Sequence, residues 1–215
     1  MTASRRPSRA FLRSSLAAWR RRLRFRERRL AAARRSGKRR RIEHWQRLVD
    51  KARYWRDRRA SQLKRATPLR LRALAHAVEL VGVMEHGGNN AGPTVSRIIR
   101  ANGGTGPEPW CGDFAAFVYR LAGSRAVTRA WASVRLLGYV AGVRRTRRPR
   151  PGDLVRFKFD HVGLLEHVNG DGTITTIEGN TGATGAVSDS TTGGDGVYRK
   201  RRSTSDVADY LRVMR

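Results

Sequence analysis

The first 66 residues of this 215-residue chain hold 25 Lys or Arg and only 4 Asp or Glu, a net +21, whereas residues 67 to 215 hold 21 and 13, a net +8. A segment so charged has little material for a core, and the placement of its few apolar residues decides its fold. Leu12, Leu16, Trp19, Leu23 and Leu30 recur at steps of three, four or seven, which puts them on one stripe of a helix. Ser36-Gly37 interrupts the pattern, and Ile42, Trp45, Val49, Ala52 and Leu63 then make a second stripe interleaved with Arg. Two amphipathic helices joined by a short turn bury their stripes on each other or on a partner. Residues 1–66 are therefore expected to form a basic helical hairpin, distinct from a second domain over residues 67–215.

The whole chain carries a formal +29, which calls for an anionic partner. No run approaches the ~18 apolar residues of a membrane span. The opening MTASRRPSRAFLRSSLAAWRRR has only a short apolar patch broken by Arg13, so neither a span nor a convincing secretion signal is expected. One cysteine in the chain excludes an intramolecular disulfide, leaving packing to hold the fold.

Thr67-Pro68 marks a change of composition. PLRLRALAHAVELVGVME, residues 68 to 85, is apolar enough for a core helix with Pro68 in its first turn, and HGGNNAGPT after it is a loop. Helices are expected near 94–101, from about 111 to 122, and near 130–140. After RRPRPGD the apolar period becomes two, and LVRFKF, HVGLLEHV, TITTIE, VYRKR and DYLRV are expected strands separated by turns such as Asn169-Gly170-Asp171-Gly172. Helices first and a small antiparallel sheet last is an α+β domain.

The lone thiol, Cys111 in PWCGDF, falls in the first turn of a helix whose Phe114, Phe117, Val118 and Leu121 have core spacing. Unpaired backbone N–H groups and the helix dipole favour a thiolate there. A nucleophile of this kind needs a base. His161 opens HVGLLEHV and His167 closes it. Alternation places His161, Gly163 and Leu165 on one face, and six residues separate the two histidines, so both cannot serve one cysteine. Glu178 and Asn180 share parity in TITTIEGNT, and either can accept the Nδ1 proton and leave Nε2 facing sulfur. Asp113 and Asp160 are expected to be solvated or capping.

PWCGDFAAFVYRLAG followed by RPGDLVRFKFDHVGLLEHVNGDGTITTIEGNT resembles the CHAP domain, the cysteine, histidine-dependent amidohydrolase/peptidase family of peptidoglycan hydrolases, over roughly residues 70–202. The resemblance implies a papain-like α+β fold with N-terminal helices packed on a small antiparallel β-sheet. It puts the nucleophile on Cys111, the base on His161 and the orienting acid on Glu178, with Asn180 close by. Trp110 stands where several members carry Gln and is expected to wall the cleft, with Asn90 of the EHGGNNAGP loop as a second substrate-facing candidate. Calcium-binding members use an acidic loop near the cysteine; GTGPEPW offers only Glu108, so no metal and no other cofactor is expected. The implied activity is cleavage of an amide in the stem peptide of bacterial peptidoglycan, as a phage-type endolysin of the N-acetylmuramoyl-L-alanine amidase or endopeptidase kind. Such a protein would wait in the host bacterial cytoplasm and act on the wall after membrane permeabilisation. The hairpin would hold an anionic wall polymer or membrane surface. The alternatives are a cell-wall remodelling hydrolase and a nucleic-acid-binding protein acting through residues 1–66.

Overall fold

The structure, a computed structural model, describes residues 7–182 and 195–214. The chain divides into two compact units, Met1–Pro68 and Leu69–Arg215.

In the first unit, α1 (Arg9–Arg35) and α2 (Arg39–Ala66) run back through a turn at Ser36–Lys38. Ser8 caps α1 by accepting from the Phe11 N–H, and Arg34 and Arg35 lie in its last turn, where the helix dipole favours cations. Leu23 and Leu30 of α1 pack with Val49 and Ala52 of α2, and Trp19, Ile42 and Trp45 close over them. Aromatic rings extend the seam: Trp19 stacks on Trp55 with centroids 6.1 Å apart. Guanidiniums sit over the rings, Arg22 on Trp19 at 4.8 Å, Arg29 on Trp45 at 5.3 Å and Arg58 on Trp55 at 5.4 Å. These seats let arginine stems and indoles cover one another while the charges stay at the surface.

The second unit holds α3 (Leu69–Glu79), α4 (Pro93–Ala101) and α5 (Cys111–Leu121) against six antiparallel strands. These are β1 (Val143–Arg145), β2 (Leu154–Phe157), β3 (Val162–Val168), β4 (Thr173–Thr181), β5 (Gly196–Ser203) and β6 (Val207–Val213), in the spatial order β1-β6-β2-β3-β4-β5. The unit is α+β, as expected. Strand alternation makes two cores. Leu154, Val162, Leu164, Ile177, Val197 and Leu211 face the three helices, while Val155, Phe157, Leu165 and Ile174 form a smaller cluster on the other face.

The helix expected over 68–85 stops at Glu79. Beyond it the chain pairs with the start of β5, through Gly82 N–H to Val197 O, Val197 N–H to Val83 O and Glu85 N–H to Asp195 O. β-Branched Val81 and Val83 suit that extended path better than another helical turn. The helix expected near 130–140 is instead two 3-10 turns, Arg129–Ala132 and Leu137–Tyr139. Trp131, Val134 and Leu137 are its buried residues, and their step of three fits three residues per turn rather than 3.6. Strand β1, three residues reading VRR, was too short and too basic for its pattern to show. Leu121 is exposed, whereas every residue of α5 from Cys111 to Tyr119 is buried, so α5 is enclosed on all sides.

Candidate active site

Cys111 is the first residue of α5, and Trp110 before it supplies no side-chain cap. The first backbone N–H groups of the helix are therefore left without a side-chain cap, and the thiol at this end of the helix is free and buried. α5 begins directly over β4: a Cβ on Gly179 would lie 2.6 Å from Phe114 Cγ and 2.8 Å from Trp110 Cζ3, so only glycine admits the helix there. Glu178, one residue earlier, points to the opposite face of the sheet and is fully buried.

His161 stands just before β3 and is 2% exposed. Phe157 and Phe159 stack on each other at 5.0 Å, and the imidazole stacks on both, at 5.9 and 6.2 Å. Its Nε2 lies 3.0 Å from Glu178 Oε2, a buried contact between imidazole and carboxylate. The other side of the ring answers to Cys111. Burial disfavours the imidazolium, yet the charge of the sulfur, a hydrogen bond with it and the Glu178 carboxylate together raise His161 to about 9. With Nε2 against Glu178, Nδ1 is the nitrogen left for sulfur, the reverse of the expected assignment. The reason is the approach of β4, which brings Glu178 to the far edge of the ring.

Glu178 is held from three directions. Arg202 of β5 donates through Nε to Oε1 at 3.0 Å and through Nη2 to Oε2 at 2.6 Å, and the Thr176 hydroxyl also donates to Oε1. Burial opposes the carboxylate charge, but the hydrogen bonds and charges of His161 and Arg202 outweigh it and lower Glu178 to about 2. Arg202 was absent from the sequence reading. It sits 24 residues beyond Glu178 in an arginine-rich strand, and only the β4–β5 register distinguishes it from Arg199 or Arg201.

Of the two orienting candidates, Glu178 is the one in contact with His161. Asn180 is buried in a left-handed conformation, φ 56°, and its Nδ2 has no hydrogen-bond partner. His167 is exposed on the distal part of β3, across from Thr175. Trp110 requires a correction. It has no exposed surface, so it cannot wall a cleft; its Nε1 donates to Glu85 Oε1 at 2.8 Å and its ring meets Phe114 edge-on. The same carboxylate accepts the Asn90 N–H at 2.8 Å. Asn90 is thus a turn residue, φ 57°, with a buried Oδ1 lacking a partner. Glu85 ties its loop to the residue preceding the cysteine, and a single carboxylate beside a glycine-rich loop was the available signal.

Asp113 also departs from expectation. It is fully buried, accepts from Asn102 Nδ2 at 2.6 Å and Arg129 Nη1 at 3.1 Å, and is pushed up to about 6, chiefly by burial. Asp160 is surface-lying and accepts from Arg135. Among the described residues no group of three or more His, Cys, Asp and Glu is arranged to hold a metal ion.

A family model of the CHAP domain matches residues 102–180, a stretch that carries Cys111, His161, Glu178 and Asn180. No curated protein and no solved structure matches the chain.

Proposed function

Starting from the CHAP domain that residues 102–180 make, a cysteine, histidine-dependent amidohydrolase/peptidase module, we propose that this protein hydrolyses an amide bond in the stem peptide of bacterial peptidoglycan. The observation that carries the chemistry is the buried contact series Cys111, His161, Glu178. Proton transfer from the Cys111 thiol to His161 Nδ1 produces a thiolate and an imidazolium that Glu178 stabilises. The thiolate attacks the amide carbonyl carbon, forming a C–S bond, and backbone N–H groups at the start of α5 hold the oxyanion. His161 returns its proton to the leaving amine as the C–N bond breaks. Water, deprotonated by the same imidazole, then cleaves the thioester and frees the acid and the thiol.

The hairpin supplies arrival rather than chemistry. Most of its apolar stripe packs between α1 and α2, and its net +21 is left for an anionic wall polymer or membrane surface. A lytic enzyme released against the wall by a phage combines both parts. Mass spectrometry of purified peptidoglycan digested with the wild type and with Cys111→Ser tests the proposal. New amine and carboxyl termini in the wild-type digest alone are expected, and their identity distinguishes a muramoyl-L-alanine amidase from an endopeptidase. A wall left intact by the wild type overturns the substrate. Tighter retention by DNA than by cell walls at matched salt would transfer the hairpin to nucleic acid.

A further inference from the structure

Buried charge must be balanced, and the proposed chemistry creates charge in a closed place. With a neutral thiol and a neutral imidazole the site holds one buried ion pair, Glu178 with Arg202, whose side chains are 0% and 3% exposed. After transfer it holds four charges in series: thiolate, imidazolium, carboxylate, guanidinium. Their signs alternate and their sum is zero. Without the guanidinium the series would end in an uncompensated buried negative charge, and the least costly relief is protonation of Glu178. The imidazolium would then lose its stabilising partner.

We infer that Arg202 is a positioning residue for this chemistry: its two-pronged grip keeps Glu178 ionised and aimed at His161, so that proton transfer from Cys111 completes a neutral array. The inference rests on the hydrolase reading and extends it to a residue beyond the matched stretch.

The surroundings favour this role over simple packing. A guanidinium fork matches both carboxylate oxygens, which an ammonium cannot do. The Arg202 carbon Cζ lies 5.6 Å from the ring centroids of both Phe157 and Phe159, the same two rings that stack on His161. One aromatic pair therefore fixes the first and last cations of the array relative to each other. The groups around Glu178 come from every adjoining strand: His161 from the start of β3, Thr176 from β4 itself, and Arg202 from β5. Lys200 of β5 also feels Glu178, but its ammonium donates to Gly182 O. Thr181 Oγ1 receives a longer bond from Arg202 at 3.4 Å.

Thiol reactivity reads the array without any wall substrate, because Cys111 is the sole cysteine. Iodoacetamide alkylation of the full chain is followed from about pH 4 to pH 9 in the wild type, Arg202→Gln, Arg202→Lys, Glu178→Gln and the Arg202→Gln/Glu178→Gln double variant. The wild type, whose thiol pairs with His161, is expected to be alkylated faster than free cysteine at matched pH. In Arg202→Gln the acid limb should move up by about one pH unit or more, because Glu178 takes a proton there. Arg202→Lys keeps the charge and should restore most of that shift while lowering turnover through the lost fork. In the Glu178→Gln background, Arg202→Gln should shift nothing further. Should Arg202→Gln alone fail to fold, circular dichroism of the double variant decides: recovery of the fold supports charge balance, and failure of both assigns Arg202 to packing and overturns the inference. An activated wild-type thiol with a superimposable Arg202→Gln profile overturns the inference and leaves the hydrolase reading standing. A wild-type thiol that reacts only as a free thiol does would sink both.

Discussion

Gly163 is where the smallest perturbation should have the largest effect on this site. It lies on β3 across from Glu178, and a Cβ built on it would stand 2.6 Å from Glu178 Cγ and 3.2 Å from Ile177 O. Carbon atoms in packed interiors sit ~3.5–4.0 Å apart, so Gly163→Ala demands about 1 Å of relief. Glu178 cannot swing aside freely, because Arg202 and Thr176 hold its carboxylate. Either β3 separates from β4 or the carboxylate leaves His161. Overpacking of this kind costs ~1–3 kcal/mol, which at roughly 2–4 °C per kcal/mol lowers the melting temperature by a few degrees. A misplacement of about 1 Å in a catalytic constellation costs on the order of 10²-fold in rate. We therefore expect Gly163→Ala to stay folded and to lose on the order of 10²-fold in kcat on a soluble muropeptide with KM little changed. Gly106→Ala is the control, since no atom lies within 4 Å of its added carbon. Activity in Gly163→Ala within about threefold of the wild type would refute the close approach of β3 to Glu178 as a determinant of the site.

Other outcomes follow from the same geometry. Cys111→Ser should fold normally by circular dichroism and lose wall-degrading activity by orders of magnitude, whereas His167→Ala should be nearly silent. Glu178 is depressed from 4.5 to about 2, so it contributes stability on the order of 3 kcal/mol that is present above the ordinary carboxylate value and is lost as pH falls toward 2. Urea midpoints across that window should slope in the wild type and flatten in Glu178→Gln. His161 is raised from 6.5 to about 9, so its contribution is complete below 6.5 and disappears as pH rises through 9, an alkaline slope that His161→Ala should lack. A chain starting at Pro68 should keep turnover on soluble muropeptides and lose salt-sensitive binding to intact cells; aggregation or lost turnover would make the hairpin part of the fold.

Local chemistry was legible in the residue order. Two helical stripes of Leu, Trp and Val, broken at Ser36-Gly37, marked out α1 and α2, because a period near 3.6 gathers apolar side chains on one face of a helix. The period of two after residue 151 determined five strands in the same way, and residue order alone put Cys111 at a helix start and His161 and Glu178 near or in strands. Contacts between elements were not legible. Nothing local tells Arg202 from the arginines beside it, and the difference is made by its register with Ile174 across the sheet. Parity alone left Glu178 and Asn180 equivalent, until the left-handed backbone at Asn180 and the approach of β4 to His161 separated them. Trp110 had the composition of a cleft wall and became core because Glu85, 25 residues away, accepts its indole N–H. Asp113 read as a surface cap and became a buried carboxylate because Asn102 and Arg129 meet it inside. Periodicity records which side of an element is apolar; which polar groups meet across elements is decided by register and packing, which exist only once the chain has folded.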